Sequence, residues 1–180
     1  MTTFYHCEMY TAYIFVCKGA RVSKRSSGEI VEDGIRYVLM RPDVLMGVAH
    51  ELRGADVQAF LGALERSAFR HVQSSFDRYQ ERQNLSGADF IVNTCEAARK
   101  LGWGEWSTTG TGDRSLTVEV KNSPFAAGFG ASQWPVCGAI AGILRAAALH
   151  AYGAQSEVTE LTCTAQGAPV CRFEIPVPSR

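Results

Sequence analysis

The last third of the sequence holds the densest group of side chains that could do chemistry. Cys137, Cys163 and Cys171 lie there, and Glu160 lies between the first two of them. Thiolates are preferred zinc ligands in proteins, and a carboxylate can complete such a set. These residue types therefore favour a metal site. The alternative is that the thiols are ordinary small buried side chains.

Two of the cysteines fall on the arms of a predicted terminal β-hairpin. The arms cover 159–163 and 171–175, and the chain turns back near Gly167. Side chains two residues apart share one face of a strand, and directly opposite Cβ atoms lie roughly 4.5–5.5 Å apart. The predicted facing pairs are Cys163 with Cys171 and Leu161 with Phe173. Two thiols facing each other in this way could share a zinc ion.

The third and fourth ligands must come from other positions. Cys137 stands at the start of a predicted buried helix, 136–152, and a helix N-terminus favours the thiolate form. Glu160 is three residues before Cys163, so strict alternation points it to the opposite face unless a β-bulge shifts it. The alternatives for the fourth position are Glu119, Glu157 and a water molecule.

The N-terminal sequence bears on whether the cysteines form disulfides. The first twenty residues lack a basic start followed by a clean apolar run, and the apolar run at 10–17 is too short to span a bilayer. These features predict a cytoplasmic protein without a membrane span. Reduced thiols are then expected, which favours metal ligands over disulfides. The remaining cysteines are interpreted as core or terminal thiols: Cys7, Cys17 and Cys95.

The composition is that of an ordinary globular protein. Of 180 residues, 46% are hydrophobic and 20% are charged, and 18 basic residues balance 18 acidic ones. A chain of this length can bury a sizeable core. A formal net charge of zero gives no support for direct binding to nucleic acid or to an anionic membrane.

The elements that must position the cysteines follow from periodicity and turn signals. A polar loop at 19–28 precedes a predicted β-hairpin at 29–40, which turns at Asp33-Gly34. Apolar stripes at three- and four-residue spacing then predict helices. Their predicted ranges are 42–53, 55–83, 86–101 and 136–152.

The rest of the chain is predicted as strand and turn. Residues 115–120 alternate apolar and polar side chains, as a half-buried strand does. A Gly/Thr-rich turn precedes this strand, and a Gly/Ala-rich stretch at 125–134 follows it. The order predicts an α/β (α+β) fold with an antiparallel sheet covered by helices. The expected division is an N-terminal aromatic segment and linker at 1–28, making a dimer contact, and a ligand-binding domain at 29–180.

Several motifs together form a recognisable pattern. They are Trp134-Pro-Val-Cys137-Gly-Ala-Ile-Ala-Gly142, Glu160-x-x-Cys163 and Gly167-x-Pro-Val-Cys171-Arg-Phe-Glu-Ile, preceded by Arg36-Tyr-Val-Leu-Met-Arg-Pro and Val118-Glu-Val-Lys-Asn122-Ser-Pro-Phe125. From about Arg36 to Val177 the chain resembles the 4-vinyl reductase domain family. The C-terminal motifs are the specific part of this resemblance.

The resemblance implies a fold, an assembly and a metal. The fold is that of the heme-NO-binding and trafficking-complex superfamily, commonly a homodimer. Family members include sensor domains of phenol- and toluene-responsive activators and stand-alone proteins linked to bacteriochlorophyll synthesis. In the aromatic sensors three cysteines and a glutamate hold zinc, and the matching residues here are Cys137, Glu160, Cys163 and Cys171. The chain has no ATPase loop or helix-turn-helix, and no residues matching the sensors' phenol-binding His and Trp are found.

The function predicted in this way is that of a sensor or carrier domain. It would bind a hydrophobic, aromatic or tetrapyrrole-like ligand beside a structural zinc ion. An apolar pocket between the helices and the sheet is the expected site, as for most small-molecule sites. Its candidate lining residues are Phe90, Val92, Trp106, Phe125, Phe129, Trp134, Ile140 and Leu144.

Two other functions are weighed against this one. The first is an enzyme or accessory factor in tetrapyrrole 4-vinyl reduction. The sequence has no dinucleotide-binding or phosphate-binding glycine loop and no clear nucleophile–base pair, so catalysis is the less favoured interpretation. The second is a scaffold subunit without a ligand, with the aromatic N-terminus making the subunit contact.

Overall fold

A computed structural model describes residues 24–26, 28–32, 35–52, 54–83, 85–111 and 114–178. The chain divides into two compact units, Met1–Met40 and Arg41–Arg180. This division falls later than the one expected after residue 28, which as a functional boundary stays a prediction. Most of the segment predicted to make a dimer contact lies outside the described residues, as do Cys7 and Cys17.

The first unit contains a three-stranded antiparallel sheet. Its strands are β1 (Lys24–Ser26), β2 (Glu29–Glu32) and β3 (Ile35–Tyr37), in the order β1-β2-β3. In the β2–β3 pair Glu32 lies opposite Ile35, which confirms the predicted hairpin. β1 lies where a loop was expected, because its polar Lys-Arg-Ser sequence has no apolar alternation to indicate a strand.

The second unit contains the four predicted helices and one that was not predicted. They are α1 (Pro42–Glu51), α2 (Ala55–Gln83), α3 (Gly87–Lys100), α4 (Pro124–Phe129) and α5 (Gly138–Tyr152). The new helix, α4, lies in the Gly/Ala-rich stretch. Its start is marked by a proline in the first turn and by Ser123, whose hydroxyl accepts a bond from the Ala126 N–H at 3.4 Å.

The second sheet is antiparallel throughout. Its strands are β4 (Glu105–Thr111), β5 (Ser115–Lys121), β6 (Thr159–Thr162) and β7 (Cys171–Pro176), in the order β4-β5-β7-β6. In the central pair Val118 lies opposite Phe173 and Val120 opposite Cys171, and all four side chains are buried. β4 was expected to be a turn, since Trp106 is its one buried side chain among those described.

Helix α5 is the central element of the core. It packs on α2, on α3 and on strands β6 and β7. Its contact with α2 is close because glycines face that helix: a Cβ at Gly138 would lie 2.8 Å from the Leu61 carbonyl oxygen, and one at Gly142 would overlap the Glu65 carbonyl. The expected class, an antiparallel sheet covered by helices, is confirmed.

Among the described residues, no helix is both long and apolar enough to cross a membrane.

Candidate metal centre

Three elements bring the chemically capable side chains of the C-terminal third together. Cys137 immediately precedes α5, Glu160 lies in β6, Cys163 follows that strand and Cys171 opens β7. The three cysteine side chains are fully buried, at 0% exposure. Because β6 and β7 pair directly and α5 packs on both, side chains far apart in sequence meet at one point.

A β-bulge in β6 sets the direction of Glu160. Glu160 lies opposite Phe173 and Thr162 opposite Arg172, so Leu161 is the extra residue in its strand. The prediction that Leu161 faces Phe173 was wrong, since Leu161 instead points outward and is 50% exposed. The bulge that was required to turn Glu160 towards the cysteines is present.

The sulfur atoms are spaced as the ligands of one ion would be. The Sγ–Sγ distances are 3.7 Å for Cys137–Cys171, 3.9 Å for Cys137–Cys163 and 4.0 Å for Cys163–Cys171. A tetrahedral ion with bonds of about 2.3 Å to sulfur separates its ligands by about 3.8 Å. A disulfide bond measures only about 2.05 Å, so these are three separate thiols.

The Glu160 carboxylate completes the cluster with one oxygen to spare. Oε2 accepts a hydrogen bond from the Cys137 backbone N–H at 3.0 Å. Oε1 is buried and has no hydrogen-bond partner among the described residues. A buried acceptor without a partner is unfavourable, and a cation would satisfy it. One ligand atom from each of the four residues lies within 4.8 Å of the others, so the set could hold a metal ion.

The other candidate carboxylates lie elsewhere. Glu119 accepts two hydrogen bonds from the Arg172 guanidinium, at 2.6 and 3.1 Å. It lies between buried Val118 and Val120 on β5 and therefore points to the opposite face of the sheet. Glu157 is exposed. The structure thus brings Glu160 to the sulfurs and leaves the other two carboxylates away from them.

Two neighbouring hydroxyl residues contact the sulfurs, and neither was predicted from the sequence. Ser123 Oγ lies 3.2 Å from Cys137 Sγ. The Thr164 backbone N–H donates to Cys171 Sγ at 3.3 Å, and its hydroxyl lies 3.4 Å from the same atom. Such outer contacts orient metal ligands and stabilise negative charge on them. The available signals were the cap position of Ser123 and the place of Thr164 next to Cys163.

The pKa values show four acidic groups competing for charge in a dry site. Burial raises the pKa of the Glu160 carboxyl to about 7. Hydrogen bonds with Cys163 and Cys171, and then burial, raise the pKa of Cys137, whereas hydrogen bonds from Cys137 and Cys163 lower the pKa of Cys171. Several negative charges cannot coexist here without a counter-charge. A divalent cation bound by all four groups would supply it.

Cys95, the remaining described cysteine, lies apart from this cluster. It is 5% exposed within α3, and burial raises the pKa of its thiol to about 12. This placement agrees with its interpretation as a core thiol.

Most of the predicted pocket residues are buried in the core of the second unit. Phe90, Ile140 and Leu144 are fully buried, and Trp106, Phe125 and Phe129 are nearly so. Two residues instead face outward, with Trp134 37% exposed and Val92 45% exposed. Phe90 stacks on the His150 ring and meets the edge of Phe76, at centroid distances of 5.6 and 5.2 Å. Their role in binding a ligand stays a prediction.

Comparison with protein-family models covers this part of the chain. Residues 116–176 match the model of the vinyl-4-reductase domain. The match spans β5 to β7 and includes all four residues of the candidate metal centre. The resemblance to the 4-vinyl reductase domain family is thereby confirmed. No curated protein matches the sequence.

Solved structures share the fold at low sequence identity. The phenol-responsive sensory domain of the transcription activator PoxR, determined with phenol, superposes with a TM-score of 0.73 at 17% identity, covering 88% of this chain and 86% of that one. Trafficking protein particle complex subunit 3 from Naegleria fowleri, covalently bound to palmitic acid, gives 0.54 at 13% identity, over 77% and 95%. A vinyl-4-reductase family protein from Methanocaldococcus jannaschii gives 0.43 at 15%, over 76% and 94%.

Proposed function

We propose that the second unit is a sensor or carrier domain that binds a small hydrophobic molecule and is stabilised by a zinc ion. The observation that carries the ligand-binding part is the fold shared with the phenol-responsive domain over 88% of the chain. A compact aromatic molecule is the ligand class favoured by that likeness. An apolar interior lined by aromatic and branched side chains suits such a ligand.

The interior between α3, the second sheet and α5 is the proposed binding region. Phe90 of α3 and Ile140 and Leu144 of α5 belong to one continuous buried cluster that also includes the inward side chains of β5 and β7. A ligand placed among them would lose nearly all contact with water. The candidate wall is completed by Trp106, Phe125, Phe129 and Trp134.

Zinc is the metal that best suits the proposed centre. Three thiolates and one carboxylate form a soft, four-ligand set, and the observed sulfur spacing agrees with tetrahedral geometry. Cys137, Glu160, Cys163 and Cys171 would fill every coordination position. The ion would then join the start of α5 to β6 and β7, and contribute folding free energy instead of catalysis.

Ligand binding can be tested by the thermal stability of the zinc-loaded protein. A ligand at about 100 times its Kd stabilises the folded state by about 2.7 kcal/mol. For a chain of this size that corresponds to a rise in Tm of about 5–11 °C. We expect such a rise with phenol or a related aromatic, and compare it with a fatty acid and a porphyrin. No shift with any of the three classes would contradict the proposal.

A matched pair of variants places the ligand inside the domain. Ile140→Phe adds volume in the interior, whereas Val92→Phe adds the same ring at an exposed position of α3. We expect Ile140→Phe to weaken ligand binding at least tenfold and Val92→Phe to leave it unchanged. Circular dichroism of each free variant checks that the fold is kept. Equal affinity in all three proteins would exclude the interior site.

Assembly and catalysis require separate measurements. The family resemblance predicts a homodimer, which sedimentation equilibrium would detect as twice the chain mass. Consumption of a nicotinamide cofactor in the presence of a divinyl tetrapyrrole would overturn the binding-only function and support the enzyme alternative.

A further inference from the structure

A surface cleft lies beside the candidate metal centre and apart from the proposed interior pocket. Its volume is about 1050 Å³, and none of the predicted pocket residues lines it. Its walls come from the end of β5, from α4, from the loop at 130–132 and from residues 164–170. A volume of this order is typical of sites for small organic molecules.

The backbone at the end of β5 turns three polar side chains into this cleft. Lys121, Asn122 and Ser123 are consecutive, yet all three line it. In an extended strand, neighbouring side chains point to opposite faces, so this arrangement needs a break in the strand. Asn122 provides the break with a φ of 56°, the one positive φ at a described non-glycine residue. Such conformations are uncommon and recur at binding sites.

The charge of the lining favours an anion. Lys121 is the one ionisable side chain among the described residues that line the cleft. Glu105 lies opposite Lys121 on β4 but does not contribute to the lining. The amide groups of Asn122 and Gln166 offer further hydrogen-bond donors. A ligand with one negative charge and acceptor oxygens would match this set.

The remaining lining is small and apolar. Ala126 and Ala127 come from α4, Ala131 from the following loop, and Pro169 and Val170 from the turn before β7. Methyl-sized side chains leave room for a flat or compact apolar group close to the backbone. The lining therefore suits a molecule with an apolar body as well as a charged head.

The floor of the cleft is held in place by the metal centre. Ser123 Oγ contacts Cys137 Sγ at 3.2 Å, and the Thr164 N–H donates to Cys171 Sγ at 3.3 Å. Both residues line the cleft. Residues fixed on two sides cannot readily rearrange, so the floor is pre-formed and loses little conformational entropy on binding.

We propose that this cleft is a second ligand site, which takes a small organic monoanion with a compact apolar body. Its carboxylate would lie against Lys121 and Asn122, and its apolar body against the alanines of α4. The site is independent of the interior pocket and of the uncharged aromatic ligand proposed for it.

The test uses benzoate as the probe and isothermal titration calorimetry on the full, zinc-loaded chain. Lys121→Gln should weaken benzoate binding about fivefold, the effect of an ion pair of about 1 kcal/mol. Ala127→Phe, which fills the cleft from an exposed position of α4, should weaken it at least tenfold. Lys100→Gln on α3 is the matched control and should have no effect, and benzyl alcohol should bind more weakly than benzoate.

Three outcomes would overturn the site. They are no benzoate binding in the millimolar range, equal affinity in the wild type and Lys121→Gln, and loss of benzoate binding in Ile140→Phe but not in Ala127→Phe. The last result would place benzoate in the interior. If phenol fails to bind while benzoate behaves as expected, the cleft stands and the proposed interior site fails, so the two proposals are tested separately.

Discussion

The close contact between α5 and α2 should be very sensitive to one added methyl group. A Cβ at Gly142 would overlap the Glu65 carbonyl oxygen, and it would also lie 3.1 Å from the Phe69 amide nitrogen. These are backbone atoms of a long helix, so no side-chain rotation can relieve the overlap. Gly142→Ala must therefore push α5 away from α2 along the surface that positions Cys137.

The size of the effect follows from known costs of overpacking. Extra methyl groups in a packed core destabilise by about 1–3 kcal/mol. Because the contact here is with rigid backbone, we expect Gly142→Ala to lower the free energy of unfolding by about 2–4 kcal/mol. For a chain of 180 residues this corresponds to a fall in Tm of about 4–16 °C.

Gly47→Ala is the matched control. Gly47 lies inside α1, and a Cβ there would meet nothing within 4 Å. The same substitution should stabilise at that position by about 0.4–1 kcal/mol, since alanine has less freedom in the unfolded chain. Thermal unfolding followed by circular dichroism measures both variants. A Tm for Gly142→Ala equal to or above that of the wild type would refute the close-contact account.

Three further substitutions probe the residues around the metal centre. Ser123→Ala should reduce zinc affinity about tenfold in a competition with a chromogenic chelator, because it removes the contact to Cys137 Sγ, and unchanged affinity would exclude that role. Cys95→Ala should retain one zinc per chain by elemental analysis, and loss of zinc would show that this thiol belongs to the centre. Glu119→Gln should cost less than about 1 kcal/mol in a denaturant titration and keep zinc, because Glu119 pairs with a half-exposed Arg172; zinc loss would identify it as a ligand.

The metal cluster was largely predictable because strand phase and helix position are local properties. Cys171 and Cys163 follow from the hairpin, and Cys137 from the helix start. The direction of Glu160 did not follow, since a bulge depends on pairing between strands and leaves no clear mark in the sequence. The same bulge explains why Leu161 is exposed instead of facing Phe173.

The elements that were missed are those with little periodic burial. β4 is an edge strand with polar residues on most positions, so no apolar alternation indicates it. Helix α4 is short and contains glycine, and only its capping serine and first-turn proline mark it. The cleft beside the metal centre depends on the positive φ of Asn122 and on packing between segments, which periodicity does not reveal.

The buried thiol–carboxylate cluster is the central claim, and zinc content with its dependence on Glu160 tests it most directly. Elemental analysis of the purified protein should give one zinc per chain, and Glu160→Gln, which keeps the size and the Oε acceptor for the Cys137 N–H, should bind zinc at least tenfold more weakly in a chelator competition. A folded wild-type protein without zinc, and unable to take it up under reducing conditions, would contradict the account.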